Sequence, residues 1–149
     1  MSRIGPAVMA CALLALPATA LAASGRQHHV TDHLIGAQFK KQGKTSTYAF
    51  EVHASDAGTG ASYSVDTSTS STGGTTHGVA YFADGSVGTT GTYRIGAALP
   101  SGLVSVRFTG RDTGGTGVFK GIHGTYTDTG TYNPKTNVAT LTLKGTDTY

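Results

Sequence analysis

Apolar and polar residues alternate with a period of two from residue 48 to the C-terminus, and this period is typical of half-buried β-strands. The first segment covers residues 48–53, with Glu51 and His53 on its polar side. The second follows a turn at residues 58–60 and repeats the pattern. The side chains expected to face a core in these two strands are Tyr48, Phe50 and Val52, then Ala61, Tyr63 and Val65.

Further strands follow at short intervals. They are predicted at residues 79–82, 87–95, 103–109, 117–126, 127–132 and 138–144, with another at 30–39. Asp84-Gly85 suits a tight hairpin turn because both residue types tolerate positive φ. The segment from Asp66 to Thr76 has no apolar residue, and we therefore interpret it as a polar, mobile loop at a barrel mouth.

The spacing of about eight strands predicts an all-β fold, an antiparallel barrel of the calycin-like kind. No segment after Ala22 repeats apolar residues at helical spacing, and glycine is abundant, with 22 residues. A closed barrel would leave no strand edge exposed.

The N-terminus has the order of a signal peptide, in which Arg3 precedes an apolar run and then the small residues Ala20 and Ala22. We expect a signal peptide at 1–22, an N-terminal arm with a first strand at 23–44 and the barrel at 45–149. The apolar run is shorter than the roughly 20 residues of a membrane span. The sequence thus predicts a secreted protein, extracellular or periplasmic, without a membrane span.

The single cysteine, Cys11, lies within this leader, so the expected mature protein has no disulfide and no thiolate chemistry. The net charge of +3 is scattered, and its longest cationic run is Lys40-Lys41. A nucleic-acid partner would require a dense basic face, and we expect none.

Glycines cluster in the segment GGTGVFKGIHG, residues 114–124. Such glycines permit tight turns and bends of a curling strand. A phosphate-binding loop would need a following helix, which the pattern does not predict. The segment resembles the Gly-Gly-(Thr/Ser)-Gly turn, hydrophobic residue, aromatic and closing glycine of the allene oxide cyclase and dirigent-type barrels, and the resemblance extends from Phe108 to Gly145.

This resemblance implies an eight-stranded antiparallel barrel with an apolar cavity, no cofactor and assembly into homo-oligomers. Cyclases of this kind hold a reactive substrate in one folded conformation, a form of orientation catalysis. No catalytic residue is transferred, because the polar cavity residues of those families lie on strands that this sequence does not align with. His123 also departs from the family pattern.

Histidines and tyrosines provide the other candidate chemistry. His28, His29 and His33 form a dense group of imidazoles that could bind a metal ion, but we expect a solvated N-terminal arm and no metal. Tyr63 and Tyr81 flank the polar loop and are the predicted ligand contacts.

Three titratable residues on the predicted strands could either take part in chemistry or face solvent. Glu51 and His53 share a strand face and could form an acid–base pair, yet the opposite face is the apolar one, which favours solvent exposure. Arg107 is expected outside for the same reason.

Two functional hypotheses remain open. The first is a secreted barrel that binds an apolar small molecule in its interior and acts as a cofactor-free cyclase or isomerase, or simply as a binding protein. A cavity on the order of a few hundred Å³ is expected for such a ligand site. The second is a non-enzymatic extracellular interaction or surface protein, which requires only a filled barrel and an exposed patch.

Overall fold

Eight β-strands form the whole of the regular structure in the part of the chain that the computed structural model describes, residues 25–149. The expected signal peptide at 1–22 and its cleavage site lie outside these residues. The strands are β1 (Gln27–Gln42), β2 (Thr45–Ala54), β3 (Gly58–Ser70), β4 (Gly73–Phe82), β5 (Gly85–Ala98), β6 (Val104–Gly117), β7 (His123–Asn133) and β8 (Val138–Thr148).

The strands form one closed antiparallel barrel in which each strand pairs with the next and β1 pairs with β8. Closure runs along the whole of β8, from Gln27 opposite Thr148 to Ala37 opposite Val138. The predicted all-β, eight-stranded barrel is therefore confirmed. Between residues 25 and 149, no helix has the length and apolar character needed to cross a membrane.

The barrel has two distinguishable ends. At the first, which we call the termini end, the β2–β3, β4–β5 and β6–β7 connections meet Arg26 and Tyr149, whose backbones are hydrogen bonded at 3.2 Å. The other four hairpin connections lie at the opposite end. Barrels of eight strands have an interior that side chains can fill or that can hold one small ligand.

Apolar packing is concentrated on β2 and β8. Phe50, Val52, Ala139 and Leu141 form the buried cluster, with further side chains from β1, β4, β6 and β7 packed against it. The predicted inward face of β2 is therefore correct. The predicted inward face of β3 is wrong, because Ser62 and Ser64 line the interior while the rings of Tyr63 and Tyr81 lie on the exposed outer surface.

The expected loop between Asp66 and Thr76 is in fact paired strand. β3 continues to Ser70, β4 begins at Gly73, and Asp66 lies opposite Thr76 in the ladder. Both side chains are buried. The interior is polar at this level of the barrel, so the lack of apolar residues in this segment does not indicate a loop.

The expected strand at 117–126 is interrupted by a turn. β6 ends at Gly117, whose φ of +61° lies in the left-handed region that favours glycine. Residues 118–122 then fold over the termini end before β7 begins at His123. The turn is held by hydrogen bonds from Val118 N to Asp84 O at 3.0 Å and from Ile122 N to Phe119 O at 3.0 Å.

The N-terminal segment is part of the barrel rather than a solvated arm. The predicted strand at 30–39 is present and longer, since β1 spans Gln27–Gln42 and pairs with both β2 and β8. A β-bulge between Gln38 and Lys40 shifts its register against β2. Bulges of this kind increase local twist and bend, which helps a sheet to close.

Candidate functional site

Two chambers occupy the barrel interior. The first, of about 120 Å³, lies toward the termini end and is called the acidic chamber here. The second, of about 190 Å³, lies toward the opposite end and is called the tyrosine chamber. Phe50 and Phe108 contribute to the walls of both and separate them. Each chamber is smaller than a typical drug-sized site of about 300 Å³ or more, so each suits a small ligand.

The turn at residues 118–122 covers the acidic chamber. Phe119 and Ile122 are buried beneath it, and the Phe119 ring lies 5.7 Å from Phe82 and 5.3 Å from Tyr149 between centroids. Gly115 makes this possible, because a Cβ atom there would lie 2.8 Å from the Cβ of Phe119. The glycine-rich segment thus builds a cover over the chamber.

Carboxyl groups dominate the polar lining of the interior. Of the eight acidic residues of the chain, six line the chambers. The acidic chamber takes five of them, on β1, β6, β7, β8 and the β2–β3 connection, and the tyrosine chamber takes one. They are Asp32, Asp56, Asp112, Asp128 and Asp147, with Asp66 in the tyrosine chamber.

Asp128 is the most deeply placed of the carboxyls in the acidic chamber. Its side chain is 7 % exposed, and its Oδ1 atom has no hydrogen-bond partner within the described part of the chain. Burial, and to a lesser degree the negative charge of Asp32, raise the pKa of Asp128 to about 7. A carboxyl group with this pKa can both give and accept a proton near neutral pH.

Asp112 and Asp147 meet at Gly124, which stands between them in one cross-strand row. Gly124 pairs with Asp147, and a Cβ atom on it would lie 2.7 Å from Asp112 Oδ2. Burial raises the pKa of both carboxyls, and the charge of Asp112 raises the pKa of Asp147 further. Asp112 Oδ2 has no partner among residues 25–149 when both are ionised, whereas a proton on Asp147 supplies a hydrogen bond between them.

Asp32 ties the β2–β3 connection to the mouth of the same chamber. Its Oδ1 accepts a hydrogen bond from Ser55 N at 3.3 Å, and the Thr31 N–H donates to Ser55 Oγ at 2.9 Å. Burial, followed by the nearby Asp56 charge, raises the pKa of Asp32 to about 6. Tyr149 donates from its hydroxyl to Asp56 Oδ2 at 2.9 Å, so the C-terminal residue also holds this rim.

Apolar and aromatic side chains form the rest of the acidic chamber. Phenyl or phenol rings come from five positions, on β2, β4, β6, the covering turn and β7. They are Phe50, Phe82, Phe108, Phe119 and Tyr126. In the part of the barrel that the structure describes, no lysine, arginine or histidine lines this chamber. The chamber thus combines an apolar wall with carboxyl groups that have no cationic partner.

Phenol groups and one carboxyl define the tyrosine chamber. Ser68 Oγ and Tyr93 OH are hydrogen bonded at 2.9 Å, and Tyr48 OH donates to Gln38 Oε1 at 3.3 Å. Asp66 is 6 % exposed, and burial raises its pKa to about 6 although Thr76 hydrogen bonds to it.

Tyr63 and Tyr81, the ligand contacts predicted from the sequence, are 44 % and 56 % exposed. Tyr63 belongs to β3, which forms one wall of the acidic chamber. Its ring lies on the outer surface, 6.3 Å from that of Phe39. The structure does not bring the two rings into the interior.

The histidines of β1 are spread along the strand. His29 and His33 lie near Thr146 and Thr142 at 3.4 Å, while His28 stacks on Tyr149 at 4.6 Å. Four residues of strand separate His29 from His33 by about 13 Å, too far to share a metal ion. Between residues 25 and 149, no group of three or more histidine, cysteine or acidic residues is arranged to hold a metal.

Glu51 and His53 form an exposed pair on the outer surface of β2, with Glu51 Oε1 3.0 Å from His53 Nε2. Arg107 is exposed as well. The expectation that these three side chains face solvent is confirmed, and none of them lines a chamber.

Sequence reasoning missed the interior carboxyl groups. A signal for one of them was present, because Tyr126, Asp128 and Tyr132 alternate on one face of the chain, and a carboxyl group that shares a face with two tyrosines faces the same interior. Asp66 likewise shares one face of β3 with Ser62 and Ser64.

Comparison with known proteins identifies the fold. No family model matches the chain, and no curated protein is significantly similar to it in sequence. Among solved structures, the pterocarpan synthase dirigent protein PsPTS1 matches with a TM-score of 0.55 and 12% identity, over 85% of this chain and 97% of that one. The pterocarpan synthase dirigent protein GePTS1 matches with a TM-score of 0.46 and 15% identity, over 83% and 84% of the two chains. The expected dirigent-type barrel fold is confirmed.

Proposed function

We propose that this dirigent-type barrel binds an apolar small molecule in its acidic chamber and promotes a cyclisation or isomerisation there without a cofactor, as a secreted protein. The observation that supports this most directly is Asp128, a buried carboxyl group in an apolar chamber with one oxygen atom free of partners. PsPTS1, a synthase by its description, has the same fold.

The chemistry follows from the surroundings of Asp128. Protonated, it donates a proton to a basic oxygen or a double bond of the ligand, and its carboxylate takes a proton back from another ligand atom, so the net change is an isomerisation. A pKa of about 7 keeps both forms of Asp128 populated near neutral pH. The apolar wall holds the ligand in one orientation and keeps water out.

The test is ligand retention. The purified protein is incubated with a lipid or polyketide extract, and retained compounds are identified by mass spectrometry. We expect retention of a small apolar compound, and conversion of that compound that is lost in Asp128→Asn but kept in Asp84→Asn, a matched change at an exposed turn residue. Retention of no compound by the folded protein contradicts the proposal.

A second function, binding to another macromolecule or to a second copy of the chain, is favoured by the outer surface. Ala37, Ala49, Tyr63 and Val79 are consecutive partners across β1 to β4, which gives an outer apolar row. The exposed rings of Phe39 and Tyr81 lie on the same four strands. Contiguous apolar surface of this kind is typical of interfaces.

We expect the protein to form a homo-oligomer through this row. Light scattering coupled to size exclusion should report more than one copy, and Tyr63→Lys should give the monomer, because a charge in the centre of the row would be buried unpaired. Thr129→Lys, on the exposed face of β7, should leave the assembly intact. A monomer without any substitution contradicts the homo-oligomer.

A further inference from the structure

We propose that the ligand of the acidic chamber is an organic cation, a substituted ammonium group on a small apolar body. This inference rests on the proposed interior binding and adds the charge of the ligand. It requires that the chamber attract a positive charge more strongly than a neutral group of the same shape.

The first argument is the imbalance of charge. Five acidic residues line the chamber, and among residues 25–149 no basic side chain faces them there. Asp128 is more than nine-tenths buried, with Oδ1 free of partners. A buried carboxylate without a counterion is costly, so a cation that enters the chamber stabilises groups that the protein leaves uncompensated.

The second argument is the aromatic wall, which is independent of the carboxyl groups. Phe50 and Phe108 close the chamber toward the tyrosine chamber, and Phe82, Phe119 and Tyr126 surround the remainder. The faces of aromatic rings attract cations, and quaternary ammonium ligands are recognised by cages of such rings. A hard metal ion would instead need several converging oxygen ligands, and among residues 25–149 no three acidic, histidine or cysteine side chains converge in this way.

The groups that face Asp128 all act in the same direction. Asp32 on β1, Asp112 on β6 and Asp147 on β8 are carboxyls, and Tyr126 beside it on β7 is a phenol. A cation therefore meets no repulsion from this lining. Because burial raises the pKa of Asp32 to about 6 and that of Asp128 to about 7, the attraction increases as the pH rises through this range.

Choline and 3,3-dimethyl-1-butanol make a decisive pair of probes. The two molecules have the same shape and the same hydroxyl group, and they differ in that a charged nitrogen replaces a carbon atom. Calorimetric titration of the full chain near pH 8 should show choline binding about tenfold or more tightly than the alcohol. Near pH 5, where Asp32 and Asp128 are protonated, the difference should shrink.

Substitution of a carboxyl group in the acidic chamber tests whether the preference for choline arises there. Asp128→Asn should weaken choline binding about fivefold or more and leave binding of the alcohol unchanged, while Asp84→Asn should change neither. Thermal unfolding of each variant verifies that it is folded. Should Asp128→Asn prove unstable, Asp32→Asn provides the same comparison at the rim of the chamber.

Each alternative result has a definite meaning. Equal affinities of the two probes near pH 8, or tighter choline binding near pH 5, overturn the cation proposal while interior binding of an apolar molecule stands. Binding of neither probe, together with no compound retained from an extract, overturns the cation proposal and the proposed function together.

Discussion

Asp112 and Asp147 approach each other across the backbone of Gly124, on the strand between them, and a proton on Asp147 joins the two carboxyl groups by a hydrogen bond. Any side chain at residue 124 would occupy the space into which both carboxyl groups extend. The pair therefore depends on this glycine, which belongs to the segment GGTGVFKGIHG.

Gly124→Ala should separate the pair and destabilise the protein. The added Cβ would lie 2.7 Å from Asp112 Oδ2, so the hydrogen bond is lost and a buried carboxyl is left without a partner, at a cost of about 1–3 kcal/mol. Urea unfolding near pH 6 measures this. Thr125→Ala, at the exposed neighbouring position, is the control, and an equal effect of the two substitutions would count against the role of the glycine.

The protein should be more stable in mild acid than at alkaline pH. Asp128 has a pKa of about 7 in the folded protein against 3.8 in the unfolded chain, so the folded state binds more protons between these values. The stability from this group is fully present below pH 3.8 and is lost as the pH rises through 7, by on the order of 4 kcal/mol.

Thermal unfolding between about pH 4.5 and pH 8 checks this prediction, and we expect the melting temperature to fall by about 5 °C or more as the pH rises. Asp128→Asn should flatten the profile, because the amide does not titrate, and Asp84→Asn should not. A melting temperature that increases steadily toward pH 8 would refute the assignment of raised pKa values to the interior carboxyls.

Phe119→Ala should open the cover of the acidic chamber. The ring is 4 % exposed and packs on Phe82 and Tyr149, so its loss should cost about 3–5 kcal/mol. Val118→Ala, at the 59 % exposed neighbour in the same turn, should cost less than about 0.5 kcal/mol. Chemical unfolding compares the two, and similar costs would show that the turn does not pack on the barrel.

Tyr93→Phe should remove the hydrogen bond to Ser68 in the tyrosine chamber and little else. We expect a loss of about 1 kcal/mol, because the ring and its packing remain while Ser68 Oγ loses a partner at 2.9 Å. Tyr81→Phe, on the exposed surface of β4, should be neutral within error. No difference between the two in urea unfolding would mean that the Ser68–Tyr93 bond does not contribute to stability.

The alternation of side chains predicted the strand content and the barrel, but it could not decide which face of each strand is inside. On β2 the apolar face points inward, as expected, with Phe50 and Val52 buried. On β3 the rule fails because the interior near Ser62 and Ser64 is polar, while Tyr63 belongs to an apolar row on the outside. Both faces of β3 satisfy a period of two, so only the packing against neighbouring strands distinguishes them.

The same ambiguity explains why the interior carboxyl groups could not be predicted from the sequence. The sequence predicts a loop at Asp66 because the segment from Asp66 to Thr76 has no apolar residue, yet the Asp66 side chain is buried opposite Thr76. Asp32 and Asp147 are far apart in sequence and line one chamber only because β1 pairs with β8. A constellation that is created by barrel closure leaves no spacing in the sequence.

The pairing of β1 with β8 sets the order in which the protein can fold. Seven of the eight strand pairs, β1 with β2 among them, join neighbours in sequence and can form as hairpins while the chain emerges. The other edge of β1 has to wait for residues more than a hundred positions later. Loop-closure entropy makes this the slowest contact. Each carboxyl-lined chamber is therefore completed only at the last step, after the C-terminal strand is released. Until then the edge of β1 that faces β8 is open to pairing with a chaperone or with another copy of the chain.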